Sequence, residues 1–411
     1  MPLTTQAKSP KFRWFALVPL SAVLLASCTR EPPDDPRRPV VATYAQLVLA
    51  TYEDALRGAR ELDRAIDDFL AKPSQRGLDL ARDRWREARV PYGRTEAFRF
   101  YGGPIDHEGG PEGRINGWPL DENHIDAVAI DRYNAAPGLN IIGNPQRFPQ
   151  ITPDIIAAQN EAGGEKNIAS GYHAIEFLLW GQDLNDPPDS AGKRPYTDYV
   201  PKTKSPNDVA ARRGQYLKAT SKLLLRDLDG VAAEWRKQGE GQQPNYRTNL
   251  VNGDVYTALK RMLTGIITLS EVEMAGERMS VPLLSGDQEE EQSCFSDFST
   301  QDLRANAEGV EAVYYGAYTK NAAHADKNSL AELVKAADPR VAQEVDARIQ
   351  RVRETLDALH APFDREIQPD NPAGRARVQA VIDALHAQAQ SFSRAAKSLQ
   401  IFLSPIQSDG D

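Results

Sequence analysis

Residues 373–402, AGRARVQAVIDALHAQAQSFSRAAKSLQIF, decide the fold. Val378, Ile382, Leu385, Ala389, Phe392, Ala396 and Leu399 follow one another at alternating intervals of four and three residues. That spacing keeps one apolar stripe on one side of a helix and predicts the seam of an antiparallel bundle. The stripe recurs at the other end of the chain, in 40–71, through Val41, Ala45, Val48, Tyr52, Leu56, Ala59, Ile66 and Phe69. Another face runs through Val255, Leu259, Met262, Ile266 and Ser270 in 253–275, and 76–100 also reads as helical, with Pro91 expected to kink or end it. No stretch alternates with period two for long enough to make a strand, so the expected fold class is all-α.

The middle of the chain differs. Residues 102–206 hold 13 of the 28 glycines and 12 of the 28 prolines, too many for a regular bundle. They predict long folded-down loops around short helices, the kind of region that carries function on a rigid frame. Val90-Pro91-Tyr92-Gly93-Arg94 and Ala361-Pro362-Phe363-Asp364-Arg365 form a faint internal repeat. If it reflects duplication, residues of about 41–240 and 250–403 form two helical bundles with a cleft between them.

The first residues set the compartment. Lys8, Lys11 and Arg13 precede an apolar run, Trp14 to Ala26, that is too short for a permanent membrane span and suits a signal peptide. It closes on Leu25-Ala26-Ser27-Cys28, the pattern of a bacterial lipobox, so 1–27 is expected to be removed and Cys28 acylated. Residues 28–40 are polar and proline-rich, as a tether should be. Thr29 after that cysteine points, by analogy, to the outer membrane rather than the inner. The whole chain carries a net charge of −9, and removing the basic leader makes it more acidic, which argues against nucleic acid as a partner. With Cys28 lipidated, Cys294 stands alone: no intrachain disulfide is possible, and it is expected as a packed thiol rather than a nucleophile.

Two stretches could carry chemistry. In Gly171-Tyr172-His173-Ala174-Ile175-Glu176, His173 and Glu176 are three apart, so on a helix they share a face and can grip one ion. Their neighbours are apolar, so a mutually hydrogen-bonded pair that braces a core helix is the alternative reading. Loop 101–126 gathers Asp106, Glu108, Glu112, Asp121, Glu122 and Asp126 around Arg114, an oxygen-rich, thiolate-free setting suited to a hard cation. Glu96, just before it, can point the same way. The acid run Glu289-Glu290-Glu291 reads as solvent-facing.

Taken together, the lipobox, GPEGRINGWPLDE (110–122), GYHAIEFLLWGQD (171–183), GERM (276–279) and QEEEQSCFSD (288–297) resemble the imelysin family, also classed as M75 peptidases, in its IrpA-like iron-regulated branch. The similarity spans about 41–403. It implies an all-α fold of two related bundles packed side by side, a site where they meet near Gly171, His173 and Glu176, and a role in iron acquisition. The ligand set it implies is His173, Glu176 and Glu96 with Asp121 or Asp126. Where relatives tend to carry histidines around Cys294, this chain has Gln292 and Thr300, which removes imidazole ligands from that segment.

Three functions follow as expectations: an envelope lipoprotein that binds iron or an iron-containing ligand and serves iron-uptake proteins; an M75-type metallopeptidase using His173 and Glu176; and a docking lipoprotein in which that pair only braces a helix. A hydrolytic zinc site needs about three protein ligands, an open position and a base, and no H-E-x-x-H occurs here, so the first is preferred.

Overall fold

The computed structural model describes residues 35–131, 140–186, 188–239, 241–317 and 325–403. Cys28, the leader and most of the tether lie outside the described residues. All regular structure within them is helical.

Helix α1, Arg38–Ala71, starts with Pro39 in its first turn, where the missing N–H costs nothing. It therefore takes in the last residues of the expected tether. Every apolar residue read as its stripe is buried, from Val41 to Phe69. Helix α2, Gln75–Thr95, is opened by the Ser74 hydroxyl, which accepts from Gly77 N at 3.2 Å. It runs one turn past Pro91 and then tightens into the 3-10 turn Glu96–Phe98. Helices α3, Gly171–Trp180, and α4, Val209–Trp235, complete the first set: α1 packs on α2 and α4, and α3 on α2 and α4.

The second set begins with α5, Val255–Thr268, which passes without a break into a π-helical stretch, Leu269–Ser280. Long π segments are rare and tend to mark functional positions. Helices α6, Ser299–Tyr315, α7, Pro339–Asp357, and α8, Pro372–Ser398, follow. The α8 seam is buried from Val378 to Ala396, as its period predicts, and packs on α7, on α5 and on the π stretch.

Contact between α2 and α6 joins the sets. It depends on glycine: a Cβ on Gly309 would lie 2.4 Å from Arg94 O, and one on Gly93 would lie 2.8 Å from the Ala305 Cβ. Within the first set, the glycine- and proline-rich middle forms short helices, Glu112–Asn116, Glu122–Ile125 and Pro153–Gln159. The two prolines of the sequence repeat differ locally: Pro91 is inside a helix, whereas Pro362 is extended and precedes the short helix Phe363–Ile367.

Candidate functional site

Gly171 places the key helix. Its φ of +86° is a left-handed conformation that side chains avoid, and a Cβ there would meet Ile115 O at 2.4 Å. The start of α3 can thus lie against the Glu112–Asn116 turn, where the Ser170 hydroxyl also donates to Arg114 O at 2.9 Å. Trp85 of α2 fixes the other side by donating to Tyr172 O at 2.9 Å.

His173 and Glu176 therefore face the same interior point and are both fully buried. Nδ1 of His173 is 2.9 Å from Glu176 Oε2, and Nε2 is 3.3 Å from Arg89 Nη2. A guanidinium can only donate, so Nε2 accepts and Nδ1–H donates to Glu176. Burial, with the charges of Arg89 and Arg278, holds the imidazole pKa well below its ordinary value, so the ring is neutral. Burial pushes the Glu176 carboxyl up to about 8, although the Ser296 amide and hydroxyl donate to its Oε1 at 3.0 and 2.6 Å.

Arg89 ties this pair to a larger network. Its Nε donates to Asp302 Oδ1 at 3.0 Å and its Nη1 to the Asn116 side chain. Asp302 also accepts from the Ser293 hydroxyl at 2.5 Å. Asn116 reaches Glu96 at 3.5 Å, the long limit of a hydrogen bond. Glu96 in turn accepts from Arg278 at 2.6 Å and Arg99 at 2.9 Å, while Arg278 donates to Glu273 at 2.8 Å. Burial alone would raise the Glu96 carboxyl, but those two guanidinium groups outweigh it and hold it well below the usual range. Arg278 and Glu273 come from the π stretch, which thereby contributes the charges that meet Glu96.

Above this network opens a cleft of about 400 Å³. Six glutamates line it, Glu112, Glu161, Glu165, Glu273, Glu277 and Glu290, against Arg99, Lys166 and Arg278. A neighbouring cleft of about 550 Å³ shares Arg99, Glu112 and Glu161 and is walled by the 100–114 loop.

The structure brings His173, Glu176 and, through Arg89 and Asn116, Glu96 into one network. Asp121 and Asp126 are engaged elsewhere. Asp121 caps the Glu122–Ile125 helix by accepting from Asn123 N at 3.0 Å, and Asp126 accepts from Arg213 Nε at 2.6 Å and Arg194 at 3.3 Å. Asp106 closes its own loop by accepting from Gly103 N at 2.6 Å. Glu291 departs from the solvent-facing expectation: the turn that follows it folds inward and buries it completely. Cys294 is buried, which raises its thiol pKa, so it is a packed residue. Arg89, Asn116, Glu273, Arg278, Ser296 and Asp302 were not singled out in the sequence as site residues. For Arg89 a signal existed: a charge on the same stripe as Trp85, Ala88 and Tyr92, all buried.

The scaffold is all-α, with a buried His–Glu pair beneath an acidic cleft. The imelysin (peptidase M75) family profile matches residues 48–392, and the chain belongs to that family. It is 25% identical over 358 residues to "Iron-regulated protein A" of Synechococcus elongatus, covering 85% of this chain and 82% of that one. Among solved structures, an iron-regulated protein A precursor from Parabacteroides distasonis superposes with a TM-score of 0.70 at 21% identity, over 90% of this chain and 97% of the other. An imelysin-like protein from Psychrobacter arcticum gives 0.59 at 14%, over 90% and 96%. Both show the fold. Among the described residues, no helix is long and apolar enough to cross a membrane.

Proposed function

We propose that this protein captures iron, or a small iron-containing ligand, at the bacterial cell envelope and does not hydrolyse peptides. The observation that carries the reading is the 400 Å³ cleft in which six glutamates face three basic side chains. Carboxylate oxygens suit a hard cation, and the basic side chains among them suit the anionic groups of a chelate. The name of the Synechococcus relative supports an iron-linked role. Anchoring through an acylated Cys28 would hold the cleft near the membrane, within reach of iron-uptake proteins.

The family label makes a metallopeptidase the second reading. A hydrolytic zinc needs free ligand atoms converging on a water-accessible point. Here both nitrogens of His173 have partners and the His173–Glu176 pair is sealed from solvent. These residues, as arranged, do not fit that ion, so no hydrolytic step is derived through it. Their part in this reading is to fix α3 beneath the cleft.

Titrating the purified protein with ferrous iron under nitrogen, and with ferric citrate, tests the proposal. Saturable binding is expected, weakened in Glu165→Gln, which lines the cleft, and in His173→Ala, with peptide substrates left intact. Metal-dependent proteolysis abolished by His173→Ala and Glu176→Ala would install the peptidase. Neither binding nor cleavage would leave the pair as a brace.

A further inference from the structure

Asp183, Asp297 and Asp364 come from three distant points: the loop after α3, the turn before α6 and the first turn of the Phe363–Ile367 helix. The fold brings one carboxylate oxygen of each to within 4.8 Å of the other two. Asp183 and Asp364 are 1% and 0% exposed, and Asp297 is partly exposed.

On two of them one oxygen is anchored. Asp183 Oδ1 accepts from Asn185 N at 3.1 Å, and Asp364 Oδ1 from Arg365 N at 2.7 Å. The remaining oxygens, Asp183 Oδ2 and Asp364 Oδ2, have no hydrogen-bond partner among the described residues, nor has Asp297 Oδ1. None of the three aspartates forms an ion pair with a basic side chain there, although Arg86 and Lys193 act on Asp297 from a distance. Burial, with the nearby Asp364 and Asp297, also holds the Glu291 carboxyl well above its ordinary value. Buried polar oxygens are rarely left unpaired, and several together on mutually repelling carboxylates call for something positive between them. Burial and that repulsion push the Asp297 carboxyl up to about 7 and that of Asp364 up to about 8.

We propose that Asp183, Asp297 and Asp364 hold a hard divalent cation of the calcium class. The donor set contains oxygen only, which selects calcium over zinc or copper, and calcium completes its shell with carbonyls and water. Partly exposed Asp297 provides the entry. Bound there, the ion ties the loop after α3 to the segment leading into α8. It shares no ligand with the His173–Glu176 pair, so the proposal stands independently of the iron reading.

The test is calcium titration of the purified, chelator-stripped full chain by calorimetry and thermal melting. One ion per chain is expected, raising the melting temperature by roughly 3 °C at a hundredfold excess over Kd. The response should vanish in Asp297→Asn and Asp364→Asn and persist in His173→Ala. If calcium does nothing to the natural protein, or if the Asn variants are more stable than it in chelator and still respond to calcium, the proposal fails. Loss of the response in His173→Ala would overturn it by moving the ion elsewhere. Should Asp364→Asn not fold, the more exposed Asp297 variant and the natural protein decide the matter.

Discussion

Two groups of carboxylates in this protein have different surroundings. Around Glu96, guanidinium groups meet the acids directly: Arg278 and Arg99 hold Glu96 and Glu273, and Arg89 holds Asp302. Around Asp183, Asp297 and Asp364, no basic side chain comes into contact among the described residues, and oxygens are left without partners. The first group is complete within the chain and serves to hold α2, α6 and the π stretch together. The second has acids and no internal counter-charge, which is the condition for recruiting an ion from solution. Proximity of acids alone thus says little about metal binding; what matters is whether the chain supplies the opposing charge.

The largest effect is expected from Arg278→Ala, which leaves Glu96 and Glu273 to share Arg99 alone. Breaking a buried ion pair from one side costs about 3–5 kcal/mol, so urea unfolding should show a loss of that size. A near-silent variant would mean that the arginine network is not what neutralises Glu96.

Next come two pH dependences of opposite sign. Glu96 is depressed below its unfolded value, so its contribution is present above about 4.5 and is lost as pH falls through the lower folded pKa. Glu176 is raised to about 8, so its contribution is fully present below about 4.5 and is lost as pH rises through about 8. Urea midpoints measured from pH 3 to 9 should show Glu96→Gln removing slope at the acid end and Glu176→Gln removing it at the neutral end. Equal slopes in both variants would erase the distinction between a carboxylate held by guanidinium groups and one held by neutral donors.

A smaller loss is expected from Gly309→Ala, whose Cβ would press on Arg94 O. Overpacking of this kind costs about 1–3 kcal/mol. It should lower stability while leaving the pH slopes alone, since it opens the contact between α2 and α6 without touching a charge. Smallest of all is Glu61→Gln. Its partner Arg64 sits 2.8 Å away, but both side chains are about half or more exposed, so the change should stay within about 0.5 kcal/mol. A larger loss there would weaken the claim that burial sets the value of these pairs.

Much of the frame was legible in the residues. The stripes of α1 and α8 appear in the sequence at the positions the structure buries. The 253–275 face was read as an ordinary helix, yet after Thr268 the chain widens into π geometry, which apolar spacing does not reveal. Of the predicted site, His173 and Glu176 meet because three residues on a helix bring them together. Asp126 is grouped with them by the family resemblance, but its partners, Arg194 and Arg213, stand 68 and 87 residues away in the chain.

The sequence by itself determined the helices, the loop-rich middle and the His173–Glu176 pairing, because each depends on intervals of a few residues and on local backbone preference. Only the tertiary structure decided which acids found arginines and which did not. Glu96 met Arg278, and Asp183 met Asp297 and Asp364, across separations that no periodicity encodes. Charge neutralisation is a property of what is brought close and removed from water, and that is settled only when the helices pack.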